Sequence, residues 1–237
     1  MQHEMLVLDE AARHAHIEPN ELRHVAQRGE IDSVNHGDNW FFSHRAVDEW
    51  AQRRLLSLNA KNLKRAHDSM VESRRRKRSA DLRVSSLVSE ATVDLALAAK
   101  AKAGIIRDMT DLADRSGKLY DPDTLFKELL AREDASPTAI GRGVAFLHPR
   151  FHDPYIFAES FVAYARSERP IFFGAPDASA TRHFFLVCST DHEDHLHILA
   201  RLAVLVHGTD LIGMLEDAPD VPAALAAIRK CEEEFVR

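Results

Sequence analysis

The chain carries two cysteines in 237 residues, and no uninterrupted apolar stretch approaches the ~20 residues needed to cross a bilayer. A membrane-inserted protein is therefore not expected. The N-terminus, MQHEMLVLDEAARH, has charges where a signal peptide needs an apolar stretch, so the expected location is the cytoplasm. Cys188 and Cys231 fall in an apolar strand-like run and a C-terminal helix-like run, which reads as buried or idle thiols and not as a structural disulfide. Also missing are a Walker loop, a nucleophile elbow, a dinucleotide fingerprint, HExxH and paired CxxC. Gly141-Arg142-Gly143 is too short to serve alone as a phosphate loop, which argues against an NTPase. Neither a metal nor an organic cofactor is expected. The one metal-like string is DHEDHLH, Asp191 to His197; on a helix His192 and His195 share a face while His197 points elsewhere, and no partner segment has ligand spacing.

What is present describes a globular chain able to bury a core, 45% hydrophobic and 29% charged, and long enough for two domains of ordinary size. The formal net charge of −6 is unevenly distributed. Between Ala51 and Arg83 eleven Lys and Arg stand against three Asp and Glu, a net of +8, which leaves −14 for the rest. Such a basic arm between two differently built modules suits either nucleic acid as a partner or a solvated helical linker.

The first 52 residues read as a compact module. Asp9 is placed to cap a helix over EAARHAH; Ile17-Glu18-Pro19-Asn20 opens a second that ends at Gly29, with proline in the first turn and glycine past the last. Two β-like runs between Ile31 and Phe42 flank His36-Gly37-Asp38-Asn39, a hairpin signal, and Ser43 is placed to cap the helix HRAVDEWAQRRL. From there to about Leu82 the composition is helical without a sustained heptad, and residues 53–83 read as a basic helix that frays into a linker.

Residues 84–237 change pattern. Val93 to Ala98 reads as a strand or short apolar segment; Lys100 to Arg115 has apolar residues at helical spacing, and Asp121 is placed to cap TLFKELLARE. Strands are expected at Gly143 to Leu147, Ser160 to Ala165 and Phe184 to Ser189, with further helices at Glu193 to Val206 and Val221 to Phe235. The layout is an α/β (α+β) sandwich, a mixed sheet flanked by helices, behind a smaller N-terminal domain.

Two resemblances attach to these residues. LDEAARHAHIEPNELRHVAQRGEIDSVNHGDNWFFSHRAVDEWA resembles the excisionase-like and MerR-like winged helix-turn-helix domains. That resemblance implies DNA as a partner, with Asn20, Arg23, His24, Gln27 and Arg28 on the exposed side of the second helix able to reach phosphates or base edges. The family's wing normally carries Arg or Lys at its tip, whereas here it offers His36, Asp38 and Asn39. LLAREDASPTAIGRGVAFLHPR resembles the phosphorylation-site segment of the fructose/mannitol/nitrogen-regulatory class of enzyme IIA domains of the bacterial phosphotransferase system. The likeness continues in RPIFFGAPD and DHLHILARLAVLV. Matched residue by residue, His148 falls on the phosphorylated histidine, His195 on the neighbouring active-site histidine and Arg132 on the active-site arginine.

Those residue types suit the chemistry. A neutral imidazole is a good nucleophile near pH 7, and its phosphoramidate is energetic enough to pass phosphate on. A guanidinium and a second imidazole suit the charge on the transferring oxygens. His195 is expected in the first turn of its helix, where unbonded N–H groups favour an anion. A strand is expected to deliver His148 to the sheet edge with its imidazole exposed. Two positions depart from the family pattern: Leu147 where proline usually stands, and Pro149, which lacks an N–H, where glycine or alanine does. His152 beside Asp153 reads as a loop or rim residue, His183 as structural at a strand start, and Ser136 and Thr138 as phosphate contacts or local backbone caps. The implied function is a phosphoryl-accepting regulatory protein whose partners are a histidine-containing phosphocarrier and DNA. A silent IIA-like interaction protein and a transport carrier feeding a sugar-specific subunit stay open, as does pairing with a second copy of the chain.

Overall fold

The computed structural model describes residues 5–37, 39–77, 82–149 and 156–236. The chain divides into two compact units, residues 1–76 and 77–237.

In the first unit β1 (Met5–Val7) leads into α1 (Leu8–His14) and α2 (Pro19–Gln27), followed by β2 (Ser33–His36), β3 (Asn39–Ser43), α3 (His44–Ser57) and α4 (Ala60–Lys77). The three strands form an antiparallel sheet in the order β1-β3-β2. Proline starts α2 at the position where its missing N–H costs nothing, and Gly29, at φ 70°, follows its C-cap. Ser43 caps α3 by accepting from the Ala46 amide at 3.1 Å. Ala11, Ala12, Leu22, Phe42 and Val47 are buried and make the core.

Asp9 does not cap α1. The N-cap is Val7, whose amide is taken by the Glu10 carboxylate at 3.2 Å, and Asp9 sits inside the first turn. Nor does one helix run from α3 into the linker: Leu58 turns extended, and Asn59 restarts the chain by accepting from the Asn62 amide at 3.0 Å. α4 buries Leu63, His67, Met70 and Arg74 along one stripe, so it is a packed helix as far as Arg74. The fraying read for ESRRRKRSADLR concerns, in part, Arg78 to Asp81, which lie outside the described residues, as does Asp38 of the hairpin tip.

The second unit opens with a short helix α5 (Val84–Leu87) and a 3₁₀ turn, then β4 (Val93–Leu97), α6 (Lys102–Asp114), α7 (Pro122–Ala135), β5 (Ala139–Gly141), β6 (Val144–Leu147), β7 (Phe161–Ile171), β8 (Thr181–Cys188), α8 (His192–Gly208), α9 (Leu211–Asp217) and α10 (Val221–Val236). The sheet order is β4-β7-β8-β6-β5; β4 and β7, and β6 and β8, pair parallel, the other neighbours antiparallel. This is the expected mixed sheet flanked by helices. Ala145, Leu147, Ala163, Phe184 and Leu186 pack with the apolar faces of α6 and α7. The alternate residues Val144, Phe146, Val162, Tyr164, Phe185 and Val187 are also fully buried, as expected of strands covered on both faces. α8 is buried at every residue from His195 to Val206, which makes it a core helix of this unit. Among the described residues no single helix is long and apolar enough to cross a membrane.

β7 runs past the expected end at Ala165 to Ile171, with its register to β8 shifting between Arg166 and Ile171 around Pro170, which has no N–H for a ladder. The site depends more on a feature absent from the sequence reading: Gly141-Arg142-Gly143 is the turn of the β5–β6 hairpin. All three residues have positive φ, at 89°, 56° and 77°. Asp177 holds the turn by accepting from the Arg142 amide at 2.9 Å. A Cβ on Gly141 would meet the Asp177 carboxylate at 2.8 Å. Gly141→Ala is therefore expected to destabilise the protein by about 1–3 kcal/mol, read as a lower urea midpoint at unchanged slope. A midpoint equal to that of the unsubstituted protein would show that the turn is not under this constraint.

Candidate functional site

β6 ends at Leu147 and His148 is the next residue. Its imidazole is gripped from two sides. Nδ1 lies 2.9 Å from the Phe146 carbonyl, and the Arg132 Nε–H donates to Nε2 at 2.9 Å. A guanidinium has only donors, so Nε2 must present its lone pair to Arg132, and the ring proton resides on Nδ1, donated to Phe146. Arg132 comes from the last turn of α7 and is itself held by its Nη1 donation to the Ser136 carbonyl at 2.8 Å. Ser136 therefore supplies a backbone acceptor to the site arginine. The ring of His195, from α8, approaches that of His148 with centroids 5.0 Å apart at 59°. The structure thus brings His148, Arg132 and His195 together.

Two expectations about this cluster need correction. His148 is 1% exposed, and β6 lies between β8 and β5, so the ring emerges at the end of an interior strand and is covered, not laid open at an edge. His195, 0% exposed, is not at an open helix terminus either: its N–H is spent on the Asp191 carbonyl at 3.1 Å. The Asp191 carboxylate caps α8 through the Asp194 amide at 2.9 Å, and Glu193 and Asp194 make the first turn acidic. Any contribution of His195 to an anion therefore comes from its ring.

Glu133, beside Arg132, is a residue the sequence reading passed over. Its side chain is 1% exposed and takes the Lys102 ammonium at 2.6 Å. Its other oxygen accepts from the Thr138 hydroxyl at 2.6 Å and from the Thr138 amide at 2.9 Å. Thr138 thus gives both its hydroxyl and its amide to a side-chain carboxylate, and not its hydroxyl to the local backbone. Within ARED nothing distinguishes a buried carboxylate from a solvated one; the only signals are a threonine five residues on and a lysine at the start of α6. His152 and Asp153 lie outside the described residues.

The five residues read as a nucleic-acid face, Asn20, Arg23, His24, Gln27 and Arg28, are all exposed on α2 and its C-cap. Arg23 donates to Asn20 at 3.3 Å, and Arg28 is paired with Glu30, whose carboxyl it holds below its usual range by hydrogen bonding. A cleft of about 600 Å³ between α2 and α3 is lined by Glu21, His24, Arg28, Trp50, Arg53 and Arg54, the last bonded to Glu21 at 2.5 Å.

The model of the phosphoenolpyruvate-dependent sugar phosphotransferase system EIIA 2 family matches residues 86–231. The chain belongs to this family. The chain is 25% identical over 151 residues to the fructose-specific EIIABC component of Bacillus subtilis, covering 63% of this chain and 23% of that protein. It is 35% identical over 104 residues to the fructose-specific EIIA component of Haloferax volcanii, covering 43% of this chain and 66% of the other. The chain thus spans less than two thirds of either relative. In fold it is similar to the nitrogen regulatory protein IIA-Ntr of Neisseria meningitidis, with a TM-score of 0.55 at 21% identity, covering 61% of this chain and 98% of that one.

Elsewhere in the EIIA 2 domain, His183 near the start of β8 is buried in a separate cluster with Tyr164 and the exposed Glu216. The Tyr164 hydroxyl lies 2.9 Å from its Nδ1 and the Glu216 carboxylate 3.3 Å from its Nε2. Burial lowers its pKa to about 4, against the opposing pull of Glu216. The unfolded ring, near 6.5, then binds a proton in the window between these values while the folded ring does not. Stability is full above this window and is lost as pH falls through it, by up to about 3 kcal/mol. Urea titrations from pH 4 to 7 should show a difference between wild type and His183→Gln that changes across this window. A pH-independent difference would refute the assignment.

Proposed function

We propose that this protein accepts a phosphoryl group on Nε2 of His148 from a histidine-containing phosphocarrier and acts as a phosphorylation-dependent regulator. The observation that supports this most directly is the 2.9 Å contact between Arg132 Nε and His148 Nε2. With its proton on Nδ1, the ring has its in-plane lone pair at Nε2, the atom that must attack phosphorus. The N–P bond of the donor phosphohistidine breaks as the Nε2–P bond forms, and the donor imidazole leaves with the electron pair. The positive charge arising on the His148 ring is relieved through Nδ1–H and the Phe146 carbonyl. Arg132 must release Nε2 for the attack, and its guanidinium then turns to the phosphoryl oxygens, where its charge is of most use. The His195 ring supplies a second donor. Pro149 offers no N–H to the phosphoryl group, which places more of its stabilisation on these two side chains.

Burial of the His148 ring favours one competing reading, a IIA-like protein that docks onto partners without being phosphorylated. Incubation with phosphoenolpyruvate and the two general phosphotransferase proteins separates the two. Under the proposal the wild type is labelled, His148→Ala is not, and Arg132→Met is labelled more slowly by on the order of 100-fold. An unlabelled wild type would leave the docking role. Transfer of the label onward to a sugar-specific subunit would instead mark a transport carrier.

For the first unit, the reading is a winged helix-turn-helix that binds DNA through α2. The order of helix, turn, helix and hairpin and the exposure of Asn20, Arg23, His24, Gln27 and Arg28 support it. Arg53 and Arg54 of α3, lining the same cleft as His24 and Arg28, add positive charge beside that helix. The hairpin from Ser33 to Ser43 contains no Lys or Arg, so little of the phosphate affinity comes from the wing. Fluorescence anisotropy with labelled duplex should show salt-dependent binding that Arg23→Glu with Arg28→Glu abolishes, the logarithmic salt slope of each single charge removal falling by about 1. Binding that ignores both arginines would exclude α2 as the contact.

A further inference from the structure

We propose that Glu133 is a positioning residue that fixes both partners of the Arg132–His148 contact, an inference that rests on the proposed role of His148. Two chains of bonds start at its carboxylate. The first is covalent: Glu133 follows Arg132 in the last turn of α7, and its ion pair with Lys102 at 2.6 Å ties that turn to the start of α6. Lys102 is further placed by the Phe173 ring, 4.9 Å from its ammonium. The second chain runs through hydrogen bonds. Oε2 holds the amide and hydroxyl of Thr138, at 2.9 and 2.6 Å. The Thr138 carbonyl accepts from the Phe146 amide at 3.0 Å, and the Phe146 carbonyl is the acceptor for Nδ1 of His148 at 2.9 Å. One carboxylate therefore sets the place of the guanidinium and of the carbonyl that orients the imidazole.

The segment between the two anchors, Ser136 to Thr138, closes the loop. The Arg132 guanidinium holds the Ser136 carbonyl at 2.8 Å while Glu133 holds Thr138, so the segment cannot move without disturbing one end of the site. A carboxylate this enclosed is tolerated only because Lys102 and Thr138 satisfy both of its oxygens. An ordinary loop tie would not require an ion there. What the ion adds is stiffness next to a contact whose usefulness depends on its geometry, where an error of about 1 Å costs on the order of 100-fold in rate.

The test reads the His148 ring directly, by ¹⁵N imidazole NMR on the full-length protein, alongside phosphotransfer kinetics and thermal melting. In the wild type His148 should be in the Nδ1–H tautomer. Glu133→Ala should mix the tautomers and lower kcat for phosphorylation at least tenfold while KM for the phosphocarrier stays within twofold. Glu133→Gln, which keeps an acceptor for Thr138, should recover much of both. If Glu133→Ala does not fold, Thr138→Val removes the hydroxyl donor alone and should shift the tautomer in the same direction, with Thr138→Ser restoring it. A lowered melting temperature with tautomer and kcat at wild-type values would overturn the proposal. Absence of labelling in the wild type would refute phosphorylation itself, whereas the tautomer comparison would still decide the role of Glu133.

Discussion

The donation of the Arg132 Nε–H to His148 Nε2 governs what the second unit is able to do. Because arginine has nothing but donors, this one contact determines which ring nitrogen is basic and forces the other to donate. The donation finds its acceptor on β6 itself, at Phe146, so the orientation of the ring is inherited from the backbone of an interior strand. Arginine and histidine are only sixteen residues apart, joined by a helix end and a tight hairpin, so the contact costs little loop-closure entropy.

The surrounding fold makes that short connection stiff. β6 is hydrogen-bonded to β8 on one side and β5 on the other, and its four residues are buried on both faces, so the strand end has no freedom to shift register. α7 is capped by Asp121, which accepts from the Thr124 amide at 3.0 Å, and it stops where Ser136 turns extended before Pro137. The left-handed turn at Gly141-Arg142-Gly143 then reverses the chain into β6 within three residues. His195 arrives by a different route, on a helix buried through twelve consecutive residues, so its ring position is set by core packing.

What was legible in the sequence was whatever has a local physical signature. The caps at Ser43 and Asp121 and the amphipathic α6 and α7 appear where period and end signals put them, and so do the apolar strand runs apart from the extension of β7. The union of His148, Arg132 and His195 came from a motif resemblance, since no local pattern brings residues on α7, β6 and α8 together. What was illegible depends on tertiary contacts. Whether a ring at a strand end is open or covered depends on groups distant in sequence, such as the His195 ring against His148, and the two short strands β1 and β5 exist because partners complete them. The acidic first turn of α8 was visible in the sequence as HED, but only the structure shows that Asp191 takes the amides of Asp194 and His195.

The charge balance around the ring bears on what kind of phosphate acceptor it makes. A phosphoryl group brings about two negative charges into a site where burial weakens screening. Among the described residues, the groups at the ring are one guanidinium and the ring of His195, on a helix turn that also carries Glu193 and Asp194. Among these described groups, one full positive charge does not by itself cancel two negative ones. A site built to store phosphate would concentrate cations and amide donors, as helix N-termini and arginine clusters do. Here the helix terminus is capped by its own aspartate and Pro149 has no N–H. Under the proposed role, a phosphoimidazole with this little compensation among the described residues fits a group held briefly and passed on or removed, so that occupancy of His148 tracks the supply of donor instead of recording past exposure to it.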